Sequence, residues 1–135
     1  MPVEKDQWSG IFSPLEQDGT LEAGFLLKTT GIPLAAWTRN PVPQEVISVM
    51  AATLWGSLDT IVRTLGGSGP RYAMLEVEER RILVSQVGPN LTLLLVAQRS
   101  LGTRRLRSTA QRIVERVGDR RRSPPVPSSP VKVSE

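Results

Sequence analysis

The chain has 135 residues, a formal net charge of +4, and neither cysteine nor histidine. This length suits one domain, and the missing residue types exclude disulfides, zinc held by thiolate or imidazole, and triads built on Cys or His. Nine arginines face only Glu115 and Asp119 between Arg99 and Arg122, a local balance of +7 that leaves the rest at −3, which argues against a core built for polyanions and leaves contact with phosphate or an acidic partner open at that end alone.

Residues 1–20 mix scattered charges with Pro2, Gly10, Pro14 and Gly19. They read as an irregular arm with one short helical turn near Ser13–Glu16, and Trp8 and Phe12 are expected to dock on the domain, since large apolar residues are rare in disordered segments. Leu21–Lys28 is a strand and Thr29-Thr30-Gly31 a turn. Ile32–Arg39 returns as a second strand, and Pro33, lacking an N–H, predicts that it lies at a sheet edge. Asn40-Pro41-Val42-Pro43 stops this strand and starts a helix.

Gln44–Leu65 is the long helix. At 100° per residue, Met50, Ile61, Leu54, Ile47, Leu65, Leu58, Ala51, Val62 and Trp55 share an arc of about 140°, which predicts the core-facing side. The opposite side carries Ser48, Ala52, Thr53, Gly56, Ser57 and Thr60 with few charges. Small residues let another backbone approach, and a mid-helix glycine costs about 1 kcal/mol against alanine. A symmetry copy of the same helix is expected there.

The Gly66–Pro70 loop follows a helix and precedes a strand, the reverse of a phosphate-binding P-loop. Tyr72–Glu78, Arg81–Val87 and Leu91–Ala97 read as an antiparallel meander. Glu76, Glu78 and Glu79 sit beside Arg80 and Arg81, which favours a solvated hairpin end over an acid–base pair. Leu101–Gly118 is a helix with Leu106, Ala110, Ile113, Val114 and Val117 as its buried stripe, and Gly118 is expected to end it. A domain over 21–118 and a disordered, basic, Pro/Ser-rich tail over 119–135 are expected. Leu91–Ala97 is apolar on both faces and so needs cover on both sides. Two substantial helices are available, which predicts a three-layer α+β sandwich with a helix on each face. No apolar run reads as long enough to span a bilayer and no signal-peptide pattern opens the chain, so a cytoplasmic protein with at most peripheral membrane contact is expected.

The joint order of Thr30-Gly31-Ile32-Pro33-Leu34-Ala35 between two strands, the helix ending in Leu65-Gly66, then Tyr72, Glu76, Arg81-Ile82-Leu83-Val84, Val87-Gly88 and Leu93-Leu94-Leu95-Val96 before a closing helix resembles the Roadblock/dynein-light-chain family over about Leu21–Val117. The resemblance implies a five-stranded antiparallel sheet in the order 2-1-5-4-3 and a homodimer. Its third strands would pair edge to edge, through Tyr72, Met74 and Glu76, and its long helices would lie side by side. Family members usually begin with a full amphipathic helix, where this chain has prolines and glycines.

The resemblance also implies a non-enzymatic regulator or scaffold, GAP-like or an adaptor subunit, for a Ras-like small GTPase, with no catalytic, cofactor or metal residues. Arg39 and Arg63 are the candidates for an arginine finger. The alternative is a structural adaptor of a motor or membrane-associated complex with no effect on GTP turnover. Nucleic-acid binding would use Arg104, Arg105, Arg107, Arg112 and Arg116, which could equally contact phosphate or an acidic partner. It is disfavoured because no aromatic residue lies among them and Glu115 and Asp119 interrupt the run.

Overall fold

The structure, a computed structural model, describes residues 7–122. Its elements are α1 (Ser13–Glu16), β1 (Leu21–Lys28), β2 (Pro33–Thr38), α2 (Gln44–Thr64), β3 (Tyr72–Val77), β4 (Arg80–Gly88), β5 (Leu91–Gln98) and α3 (Thr103–Arg122). The strands form one antiparallel sheet in the order β2-β1-β5-β4-β3. The strand carrying Pro33 lies at an edge, where its missing N–H breaks no ladder.

β5 sits mid-sheet, and Leu91 through Leu95 and Ala97 are buried. Its residues alternate between two cores. Leu91, Leu93, Leu95 and Ala97 meet Leu106, Ala110, Ile113 and Val117 of α3, while Leu94 meets Phe25, Leu27, Val84 and Trp55. α2 covers that second face, lying mainly over β1, β2 and β4.

The N-terminal arm belongs to the first core. Trp8, Ile11, Phe12 and Leu15 are all buried within it. Two arginines of α3 hold the arm down. Arg116 donates from Nε to the Ile11 carbonyl at 3.1 Å and from Nη2 to the Gly10 carbonyl at 2.7 Å, and Arg120 Nη1 donates to the carbonyls of Gln7 and Ser9, both at 2.8 Å. Hydrogen bonds from charged donors contribute roughly 1.5–3 kcal/mol each. These contacts also explain a departure from the sequence reading: α3 runs through Gly118 to Arg122. A mid-helix glycine costs only about 1 kcal/mol, less than the bonds that Arg120 makes from beyond it. Residues 123–135 of the expected tail and 1–6 of the arm lie outside the described residues.

Gly24 on β1 is where the arm meets the sheet. A Cβ there would lie 2.7 Å from Leu15 Cδ1 and 2.8 Å from Phe12 Cδ1. Both side chains are buried and have nowhere to retreat. Gly24→Ala is therefore expected to destabilise the fold by about 1–3 kcal/mol in urea unfolding. An unchanged midpoint would mean the arm is not part of the core.

Asp18 closes the arm. Its carboxylate accepts from Thr20 Oγ1 at 2.6 Å and from the Thr20 N–H at 2.9 Å, with Arg105 at 3.3 Å. The Thr20 hydroxyl first, then its N–H and the two nearby arginines, hold the carboxyl below its ordinary value of 3.8. A depressed carboxyl contributes stability that is fully present above the unfolded value and lost as pH falls through the folded one. The stability gap between wild type and Asp18→Asn should stay level above about pH 5 and narrow below about pH 4. A gap that does not change with pH would remove the role assigned to the charge.

Candidate interaction surfaces

α2 is amphipathic and meets the sheet with most of the arc its sequence predicts, but turned so that one margin of that arc faces outward. Ser48, Ala51 and Trp55 are its buried residues. Ile47, Leu54, Leu58 and Val62 are half-buried. Met50, Ile61 and Leu65, assigned to the core by the sequence arc, are 58%, 55% and 81% exposed. The cause is the size of the residues on the neighbouring arc. Ser48, Ala51 and Ala52 let the helix settle close to its own sheet and to the β1–β2 turn. Gly31 in that turn has φ +100°, and a Cβ there would lie 3.3 Å from Val49 Cα and 3.7 Å from Ala52 Cβ. The small residues thus serve an approach within the chain. Ser48 is 0% exposed and Ala52 packs against the core, so neither side chain faces outward, contrary to the sequence reading.

Outside this seat, Val46, Met50, Thr53, Ser57, Thr60 and Ile61 are exposed. They recur at near-heptad spacing along one stripe of the helix. Gly56 is exposed beside the stripe with open space around it. By length and mean hydropathy, 21 residues and 1.3, α2 is also long and apolar enough to cross a membrane, which corrects the sequence expectation. Here one side of it is seated on the sheet.

β3 is the second surface. It ends the sheet order, so one row of its backbone donors and acceptors lacks a strand partner. Its side chains are less free than the sequence suggests. Met74 packs on the α3-side core. Tyr72 carries the Arg107 guanidinium 4.9 Å above its ring. Glu76 accepts from Arg81, whose Nε also donates to the Leu101 carbonyl at 3.1 Å. What β3 offers a partner is its backbone edge, flanked on the α2 side by half-buried Leu75 and exposed Val77.

The arginines sort into roles that sequence could not separate. Arg105 pairs with Asp18 and Arg116 anchors the arm. Arg39 donates to the carbonyls of Leu21 and Asp18 and lies 5.0 Å over the Trp37 ring. Arg63 pairs with Asp59 on its own helix at 3.0 Å. Both arginine-finger candidates are thus engaged within the chain. Arg104 and Arg107 line a cavity beside β3 together with Arg71, which the sequence did not single out because it stands alone in a loop. Arg112 is exposed elsewhere on α3. Among the described residues, no group of three or more Asp or Glu could hold a metal ion. Glu78 occupies the β3–β4 turn with φ 58°.

The sequence model of the Roadblock/LC7 domain matches residues 11–97. No curated protein sequence matches the chain. Among solved structures, the fold is similar to "MglB with tetrameric arrangement" (15% identity, TM-score 0.75, covering 89% of this chain and 90% of that one). It is also similar to the gliding protein MglB from Thermus thermophilus (16%, 0.74, 87% and 90%). A Roadblock/LC7 domain from Streptomyces avermitilis matches as well (19%, 0.75, 84% and 96%).

The rotated seat of α2 has a simple test. The Ser48 hydroxyl is buried with no hydrogen-bond partner, and such a group costs about 1–3 kcal/mol. Ser48→Ala should leave the unfolding free energy level or raise it by about 1 kcal/mol, and it should leave self-association unchanged. A drop in association would put Ser48 back on the outer face.

Proposed function

The chain belongs to the Roadblock/LC7 domain family, and from that premise we propose that it is a non-catalytic homodimeric regulator or scaffold for a Ras-like small GTPase, acting in the cytoplasm. The observation that carries the reading is the stripe of exposed apolar side chains on α2, with Val46 at 57%, Met50 at 58% and Ile61 at 55%, together with the open edge of β3. Apolar side chains left exposed together on one helix face suit an interaction site. The stripe runs along a helix, so an isologous contact with the same helix of a second copy is the closed solution.

Magnitudes say that the helices alone do not suffice. Covering half-exposed side chains of this size gives roughly 1 kcal/mol each, several kcal/mol for two stripes, while association costs about 4–15 kcal/mol. Pairing of β3 with its symmetry mate supplies the remainder and satisfies the open backbone row. In this dimer Met50, Thr53, Ser57 and Ile61 face the partner, with Gly56 and Thr60 at the flank. Tyr72, Met74 and Glu76 lie on the paired strand and contribute chiefly backbone.

The GTPase partner follows from the resemblance to the bacterial polarity regulators that act on Ras-like GTPases. Self-association is in keeping with the tetrameric arrangement named for one similar structure. The paired α2 helices would form the landing surface, and no residue of this chain need enter the chemistry. The adaptor reading differs only in leaving GTP turnover unchanged.

Sedimentation of wild type against Met50→Asp/Ile61→Asp tests the dimer. Both positions are exposed in the single chain, so the variant should fold and sediment as a monomer. A wild-type chain that stays monomeric at tens of micromolar would overturn the reading. GTP hydrolysis by a candidate Ras-like GTPase, with and without the dimer, separates regulator from adaptor: binding with unchanged turnover leaves only the adaptor.

A further inference from the structure

We infer that the cavity between β3, β4 and α3 is a binding site for a phosphate monoester carried on a small organic body. This site borders the proposed β3 seam through Arg71 and Tyr72 but draws its charged lining from this chain alone, and it lies on the sheet face opposite α2. The cavity has a volume of ≈ 460 Å³, and its charged lining is Arg71, Arg104 and Arg107, with no acidic residue among the lining side chains. Like charges gathered without a counter-charge repel one another, and elsewhere in this chain comparable arginines have found partners: Arg105 with Asp18, Arg80 with Glu22, Arg81 with Glu76. These three line one cavity and have no carboxylate partner there.

One of the three is held at its guanidinium and another at its backbone. Arg107 is stacked over the Tyr72 ring at 4.9 Å, which limits the freedom that a flexible guanidinium would otherwise lose on binding. The backbone beside Arg71 is tied by Ser85 Oγ, which donates to the Arg71 carbonyl at 3.2 Å. Ser108 and Gln111 add neutral donors, and Leu83 and Val114 add apolar wall.

This donor set selects among anions. A carboxylate carries one charge and two oxygens, which one or two guanidinium groups saturate. A phosphate monoester carries nearly two charges and three acceptor oxygens at neutral pH, matching three guanidinium groups. The cavity is larger than phosphate alone requires, and its apolar wall suits an attached organic group. A nucleic-acid backbone, made of singly charged diesters, would need a track of cations. Arg105, Arg116 and Arg120, which would extend one along α3, are instead tied to the arm and its end.

The test is titration calorimetry at low salt with phenyl phosphate, using benzoate and a short thymidine oligonucleotide as comparators. Phenyl phosphate should bind saturably, with one site per chain and more tightly than either comparator. Arg104→Gln/Arg107→Gln, and separately Arg71→Gln, should weaken it at least about tenfold, whereas Arg112→Gln should change it less than about twofold. All four positions are exposed, and circular dichroism checks that each variant folds. The chain has no histidine, so a fall in affinity below about pH 6 would report the second ionisation of the phosphate. The proposal is overturned by absence of saturable binding, by benzoate or the oligonucleotide binding as tightly, or by an equal loss in Arg112→Gln.

Discussion

The structure depends on one strand that cannot be exposed on either face. β5 is buried along nearly its whole length, and each face draws a separate layer over the sheet. Placing this strand in the middle, between β1 and β4, lets it contribute to both apolar cores. It also pushes the two strands least suited to the interior, the proline-bearing β2 and the half-exposed β3, to the edges.

The two covering layers are unequal, and the inequality bears on function. On one face α3 and the arm interlock through apolar packing and through the arginine bonds to arm carbonyls. Among the described residues, the arm covers this face with the short helix α1 and a few large side chains. On the other face α2 contributes only Ser48, Ala51 and Trp55 as fully buried residues. A helix held by so narrow a seat keeps much of its apolar surface outward. That surface is the one on which the proposed dimer rests.

The basic end of the chain shows how composition overstates a site. Read as a sequence, the arginines between Arg99 and Arg122 are one patch. In the fold they divide into anchors that hold the arm and groups that line a cavity, and the helix face that each residue occupies decides which it becomes. Arg116 and Arg120, four apart, fall on the side that meets the arm. Arg104 and Arg107, three apart, fall on the side that meets β3.

Several features were legible from residue order alone: the strand boundaries, the edge position of the Pro33 strand, the docking of Trp8 and Phe12, the buried stripe of α3 and the two-sided burial of Leu91–Ala97. Each follows from local rules, since alternation, proline chemistry and a narrow apolar stripe admit one arrangement. The rotation of α2 was not legible. Its apolar arc is wider than one sheet can cover, so either margin could face inward, and only the close fit of Ala52 and Val49 against the Gly31 turn chose between them. The continuation of α3 past Gly118, and the gathering of Arg71 with Arg104 and Arg107, were likewise decided by tertiary structure. Both rest on contacts between segments far apart in the chain, and a helical or strand period carries no record of what will stand opposite it.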